Sequence, residues 1–422
     1  MKMFERFMKF LIVLFSKNLF IKEVVGKGNL PKNGPYVIVA NHASYFDHFL
    51  IFTVIKHYMN QQVYFLTKKE AFDSYLSRKW HLSMGAIPLN RGGTDVAAFK
   101  TVVSNLKEGK IVCIYPEGTR SPTGKIYQGK QGAIRMALAA NVPIVPIGLE
   151  GTFDILPRKR LWPRFKKAKI QIGEPISLQK SRDKSQLDIY LKEVMSSIKS
   201  LSNDKDRFIK ELPTDESLLI DEMLQVAYEW NERGIRAYPK DSLSPNTLHK
   251  RAIYICNQVI KSKANHPIAL FEKSRAVGRL GLNSKSKVKK IWYLMKGKKI
   301  LEQSIQENQG HAPSYYALAV WYMEMPKFIG GSPEKALLLY EKANELGREV
   351  YIMIGYAKCL LVNGRPDKAK SILLQLITEL PTKNTVDARR KVEAVAMIMR
   401  IDPDFKLEEK VMNECFLDYQ TG

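Results

Sequence analysis

The sequence predicts an α/β domain, a mixed sheet flanked by helices, followed by an all-α helical-repeat domain. Three observations carry that reading. Residues 35–175 alternate short β-branched runs with longer helical ones. Beyond about residue 217 the strand signals vanish and the apolar spacing is helical throughout. Within that second part, small residues recur at Ala336 and Ala369, 33 positions apart.

In chain order, "MKMFERFMKFLIVLFSKNLF" (residues 1–20) reads as a helix. Its uninterrupted apolar run, residues 10–15, is six residues long; Ser16 and Lys17 close it, and no small-residue cleavage site follows. Neither a signal peptide nor a spanning helix is expected, since a bilayer needs roughly 20 apolar residues. Residues 21–204 form the α/β domain. Its strands are "YVIVA", "VYFLT", "GAIPL", "KIVCIY", "VPIVPIGL" and "KIQIG", with helices near 47–58, 70–82, 94–107 and 129–140. The polar text around "KSLSNDKDRFIKELPTDE" places a boundary near residue 205 and a linker over 205–216.

Residues 217–422 form the helical domain. "EVYIMIGYAKCLLVNGRPDKAKSILLQLITELP" has small residues at Ala357 and Ala369 and a closing Pro381, the spacing of a tetratricopeptide repeat, where small side chains let paired helices approach closely. "PSYYALAVWYME" and "SPEKALLLYEKANELG" make the preceding unit, split by the insertion "MPKFIGGS", and its aromatic cluster reads as helix packing. "HPIALFEKSRAVGRLG" with "YLMKGKKILEQSIQE" makes a further degenerate one. Three or four irregular repeats are expected over 217–400.

The formal charge of +25 is unevenly placed: residues 1–200 hold 32 Lys and Arg against 14 Asp and Glu, an excess of 18. The first half meets something anionic, whether nucleic acid, a membrane surface or a phosphorylated substrate. The four cysteines are scattered, and no histidine lies at metal-ligand spacing, so no metal site is expected. His48, His57, His81, His249, His266 and His311 read as structural or solvated.

Two segments carry chemistry. In "VIVANHASYFDHF" a strand ends at Ala40, and Ser44 with Asp47 makes the S-x-x-D pattern of a capping box. His42 then lies in a turn at the carboxyl end of a strand, where open α/β sheets place reactive groups. Asp47 in the first helical turn can reach back to the imidazole, fixing its tautomer and raising the basicity of the other nitrogen. The alternative is that Asp47 only caps and His42 only fills the turn. In "GKIVCIYPEGTRSPTGK", Glu117 can accept from hydroxyls, Gly118 admits close backbone approach, and Arg120 offers a planar fork for phosphate. Arg91 in "GAIPLNRGGT" ends another strand before two glycines.

Together, "NHASYFD" (41–47), "GAIPLNR" (85–91), "YPEGTRS" (115–121) and "VPIVPIG" (142–148), in this order, resemble the four blocks of the glycerophospholipid acyltransferase family, typified by bacterial 1-acyl-glycerol-3-phosphate acyltransferases. The resemblance covers about residues 20–200, and "IGEPI" (172–176) extends it. Asn90 stands where many members have Asp, and Tyr115 where they have Phe.

The resemblance implies an acyltransferase without cofactor. It makes His42 the general base that deprotonates the free hydroxyl of a lysophospholipid, with Asp47 orienting it. It puts Arg91, Glu117, Gly118, Thr119 and Arg120 around the glycerol phosphate, with Lys130 and Lys68 as further phosphate candidates. The donor would be acyl-acyl carrier protein or acyl-coenzyme A, and the product phosphatidic acid. Another lysolipid or glycerol 3-phosphate is the alternative acceptor; a membrane-recruited scaffold acting through the repeats is the alternative function. A lipid acceptor implies a peripheral position on the cytoplasmic face of a membrane. Phe4, Phe7, Met8, Leu11 and Phe15 recur at helical spacing, with Lys2, Arg6 and Lys9 elsewhere around the turn, which suits an interfacial helix at anionic headgroups. The run "PRKRLWPRFKKAK" interleaves Trp162 and Phe165 with cations and suits a second anchor; no nucleic-acid fold surrounds it. The repeats are expected to take a protein partner.

Overall fold

The computed structural model describes residues 2–89, 96–179, 184–204, 210–236 and 243–406. The chain divides into two compact units, Met1–Leu219 and Ile220–Gly422.

The first unit opens with α1 (Lys2–Phe15), which runs into a single π-helical turn, Ser16–Phe20. The sheet and its helices follow as β1 (Ile21–Val25), β2 (Tyr36–Ala40), α2 (Asp47–Met59), β3 (Val63–Lys68), α3 (Tyr75–Ser83), β4 (Ala86–Leu89), α4 (Val96–Lys107), β5 (Ile111–Ile114), α5 (Gly132–Ala140), β6 (Ile144–Glu150), β7 (Ala168–Ile172) and α6 (Lys184–Leu201). The strand order is β1-β7-β6-β2-β5-β3-β4; every neighbouring pair is parallel except β6 with β7.

The apolar run of β2 has a direct cause: a parallel central strand is covered on both faces and cannot alternate with polar residues. Tyr36, Ile38 and Ala40 face one core with Leu50, Phe52 and Ile55 of α2, while Val37 and Val39 face the other with Val102 of α4, Ile134 of α5 and Ile198 of α6. β1 escaped the pattern reading. It is an edge strand of sequence "IKEVV" with no fully buried residue, so its Lys22 and Glu23 mask its strand character. The helix expected over 70–82 starts later, because a 3₁₀ turn occupies Lys69–Phe72 and Ser74 caps α3 by accepting from Ser77 N at 3.3 Å. In the expected linker, Lys210 O accepts from Gln128 N at 2.8 Å, which ties that residue to the first unit.

On α1 the exposed apolar row is Met3, Phe7, Phe10 and Leu14, with Phe15 beside it, while Met8 and Leu11 are half-buried. Of the expected row, Phe7 and Phe15 are exposed, the Phe4 side chain lies outside the described residues, and Met8 and Leu11 are partly covered because Ile12 and Val13 turn inward onto the core. Among the described residues no helix is long and apolar enough to cross a membrane.

The second unit is all helical among the described residues: α7 (Glu216–Arg236), which begins just before the division, α8 (Pro245–Ser262), α9 (Pro267–Leu282), α10 (Lys287–Glu307), α11 (Ala312–Glu324), α12 (Pro333–Leu346), α13 (Val350–Val362), α14 (Pro366–Glu379) and α15 (Thr385–Ile401). Helices α9 to α14 pack as successive pairs, with α15 against α13 and α14, the arrangement of tetratricopeptide-like repeats. α12 and α14 both begin at a proline and bury Ala336 and Ala369 three residues on. Proline suits the first turn because its missing N–H would have no helical acceptor there. The insertion before α12 forms a 3₁₀ turn, Lys327–Ile329, and Trp321 Nε1 donates to Leu294 O at 3.1 Å, stitching α11 to α10.

Candidate active site

β2 and β5 are adjacent and parallel, with Val39 opposite Ile114, so their carboxyl ends open side by side. The turn after β2 carries His42 and the turn after β5 carries residues 115–121.

His42 Nδ1 lies 2.7 Å from Asp47 Oδ2. The same oxygen accepts from Ala43 N and Ser44 N, both at 2.8 Å, and Asp47 is fully buried. The capping-box expectation holds by half. The carboxylate does reach back to the Ser44 amide, but Ser44 Oγ accepts from Phe46 N at 3.0 Å and donates to Leu156 O, and α2 begins at Asp47 behind Phe46. Asp47 therefore closes the turn around the histidine as well as starting the helix.

The second turn grips the same histidine by its main chain. Glu117 Oε1 accepts from His42 N at 2.7 Å, and His42 O accepts from Ser121 N at 2.7 Å. Glu117 Oε2 accepts from Tyr127 N at 3.1 Å. Glu117, expected to accept from substrate hydroxyls, is buried in the fold, and each of its oxygens accepts from a main-chain amide. Burial pushes its carboxyl up to about 8, against the pull of those two N–H groups.

Three contacts escaped the pattern reading. The Tyr115 ring stacks on His42 at 4.0 Å between centroids and 14° between planes. Asn41 Nδ2 donates to Leu149 O at 3.0 Å and its Oδ1 accepts from Leu149 N at 2.8 Å, pinning the end of β2 to β6. His48 sits against Phe49 and Phe65, and burial pulls its pKa down to about 4, which leaves it neutral near pH 7. Tyr115 stands two residues before Glu117, the one sequence signal for the first; the Asn41 bonds and the contact of His48 with Phe65 join residues distant in the chain.

Beside the histidine lies a cationic rim. Arg120 stacks its guanidinium over the Tyr45 ring at 3.3 Å, and its Nη1 is buried with no hydrogen-bond partner. Gly118 adopts φ +69°, a left-handed conformation that glycine tolerates, and the Lys130 side chain lies alongside it, 3.9 Å from where a Cβ would stand. Lys130 is exposed, and its N–H donates to Pro116 O at 2.8 Å, just ahead of α5. Thr119 is half-buried between Gly118 and Arg120. Lys68 ends β3, one strand beyond β5 at the same edge of the sheet. Asn90 and Arg91 lie outside the described residues.

A histidine–carboxylate pair beside a basic turn at the carboxyl edge of a sheet is an arrangement that can move a proton next to an anion. Residues 22–150 match the family model described as Acyltransferase. The 1-acyl-sn-glycerol-3-phosphate acyltransferase of Bacillus subtilis (strain 168) is 32% identical over 156 residues, 36% of this chain and 73% of the relative. The chloroplastic enzyme LPAT1 of Arabidopsis thaliana is 36% identical over 138 residues, 32% of this chain; the chain spans 37% of that relative's length. A solved 1-acyl-sn-glycerophosphate acyltransferase from Thermotoga maritima is 26% identical, with a TM-score of 0.40 over 49% of this chain and 83% of that one. A solved tetratricopeptide-repeat protein of Thermus thermophilus gives 18% and 0.31, over 43% of this chain and 92% of its own. The chain belongs to the 1-acyl-sn-glycerol-3-phosphate acyltransferase family.

One prediction concerns Glu117. Replacing it with Gln sets an amide NH₂ against a main-chain N–H, at a cost of about 1–3 kcal/mol. Because the folded carboxyl lies above its ordinary 4.5, its stabilising contribution is complete below pH 4.5 and is lost as pH rises through about 8. Urea denaturation of both proteins across that range is expected to show the gap narrowing as pH rises. A gap that widens instead would mean that the two N–H bonds outweigh burial.

Proposed function

We propose that the chain transfers a fatty acyl group from a thioester donor, acyl-acyl carrier protein or acyl-coenzyme A, to the free hydroxyl of 1-acyl-glycerol 3-phosphate. The product is phosphatidic acid. The observation that carries this reading is the 2.7 Å contact of His42 Nδ1 with Asp47 Oδ2, which orients Nε2 as the base.

In the proposed step His42 Nε2 takes the hydroxyl proton as the alkoxide oxygen bonds to the thioester carbonyl carbon. The tetrahedral adduct collapses, the C–S bond breaks, and the leaving thiolate takes the proton back from the imidazolium. Ester and free thiol are formed, with no covalent acyl-enzyme. Asp47 stabilises the transient imidazolium, and Tyr115 holds the plane of the ring. Glu117 and Ser121 position the His42 main chain. Arg120, Lys130 and the Gly118 turn, with Arg91 outside the described residues, receive the acceptor's phosphate.

A thioester-release assay with a panel of acceptors tests this. His42→Ala is expected to lose on the order of 10²–10⁴-fold in turnover with folding intact, and Arg120→Ala to raise mainly the acceptor KM. Wild-type turnover in the first variant would remove His42 from the chemistry, and an unchanged KM in the second would remove Arg120 from the pocket.

A lipid acceptor places the protein on a bilayer, and α1 offers the exposed row Met3, Phe7, Phe10 and Leu14 for it. Replacing Phe7 and Phe10 by Ser is expected to weaken binding to anionic vesicles in a flotation assay; undiminished flotation would rule that face out. The helical-repeat unit recruits a protein partner in this reading. Affinity capture with the full chain, compared with a chain ending at residue 219, is expected to enrich a repeat-dependent protein; identical captures would count against recruitment.

A further inference from the structure

The loop between β6 and β7 was left over by the proposed chemistry, and it is built unlike an ordinary solvated turn. Its ends are drawn together where Arg164 N donates to Ile155 O at 2.9 Å, and a turn inside it closes where Arg160 N donates to Pro157 O at 3.2 Å. Arg160 Nε holds Trp162 O at 2.8 Å. These bonds present three large apolar side chains to solvent: Leu161, Trp162 and Phe165 are 88%, 78% and 79% exposed. Residues 157–167 carry six Lys and Arg and no acid.

The base of this loop is bonded to the catalytic turn. Leu156 O accepts both Tyr45 N, at 2.9 Å, and Ser44 Oγ, at 3.0 Å. Ser44 N in turn binds the Asp47 oxygen that holds His42. On the other flank Phe165 stacks on Phe20 at 6.1 Å, and Phe20 meets Phe46 at 4.4 Å, so the apolar contact runs from the loop to the segment that follows α1.

We propose that residues 157–167 are a wedge that inserts into an anionic bilayer and is hinged on the catalytic turn through Leu156. Exposed tryptophan, phenylalanine and leucine ringed by cations match the interfacial region of a membrane, where an apolar body enters the acyl boundary and the charges stay with headgroup phosphates. A single-stranded nucleic acid wants successive aromatic faces on which to stack its bases; here the most exposed residue is Leu161, which has none. Insertion supports the hinge from outside and holds the His42 turn closed at the surface where the acceptor enters. The purpose of the wedge rests on the proposed lipid acceptor; its vesicle binding does not.

The test uses the full chain and a Leu161→Ser, Trp162→Ser double variant, which spares Phe165 and its packing on Phe20. Sedimentation with phosphatidylcholine vesicles containing phosphatidylglycerol is expected to show a loss of roughly tenfold or more in partitioning. A second variant, with Lys159, Lys166 and Lys167 changed to Gln, is expected to lose the preference for phosphatidylglycerol over pure phosphatidylcholine. Undiminished vesicle binding by the double variant overturns the wedge whether or not the protein proves to be an acyltransferase. Binding of oligo(dT) that falls in both variants while vesicle binding stays unchanged overturns it in favour of a nucleic acid. Hinging is read from turnover: the double variant is expected to match wild type on a monomeric short-chain acceptor without vesicles and to fall below it on the vesicle-borne acceptor. Equal losses on both acceptors would overturn the coupling.

Discussion

Asp47 Oδ2 accepts three hydrogen bonds, from His42 Nδ1, Ala43 N and Ser44 N, at 2.7, 2.8 and 2.8 Å, and the geometry of the site follows from that convergence. A fully buried carboxylate is costly unless donors replace its lost water. Here the donors are the turn itself, so the turn cannot open without exposing the charge. The other oxygen, Oδ1, is buried and has no hydrogen-bond partner. The carboxylate is thus under-solvated, which strengthens its attraction for a cation formed on the neighbouring ring. The same residue begins α2, so helix, turn and imidazole share one anchor.

Around that anchor, labour divides between side chain and main chain. Asp47 holds the His42 imidazole, whereas Glu117 Oε1 and Ser121 N hold the peptide groups on either side of it. Rotation of the ring and displacement of the backbone are therefore resisted by different strands' loops. That arrangement needs β2 beside β5, since residues 42 and 117 are 75 positions apart and meet through the register of Val39 with Ile114. The Asn41 side chain, bonded to both peptide groups of Leu149, fixes the opposite flank against β6.

What was legible in the sequence is what lies within one segment. His42 and Asp47 stand five apart, a spacing one turn can close, and β2 announced itself because burial on both faces leaves an unbroken apolar run. Glu117 was placed at the site without its main-chain partners: its local text shows a carboxylate in a glycine-rich turn, and the amides it meets depend on strands that the text does not pair. The exposed face of α1 was legible only in part, for a related reason. Its apolar residues cover more than one stripe, and the inward pull of Ile12 and Val13 on the core decides which of them face outward.

The charges around the histidine are unequal in a way that suits the anionic acceptor proposed above. Asp47 is spent on the turn and shielded by it, and burial holds the Glu117 carboxyl toward its neutral form. His48, whose pKa burial pulls down to about 4, is neutral near pH 7 and adds no cation. Among the described residues, Arg120 and Lys130 bring positive charge to the rim, one held flat on Tyr45 with a guanidinium nitrogen unmatched and the other lying along Gly118. A buried donor without a partner costs free energy until a ligand supplies the acceptor. In the proposed reaction the acceptor's phosphate oxygen is that partner, held beside His42 by the guanidinium.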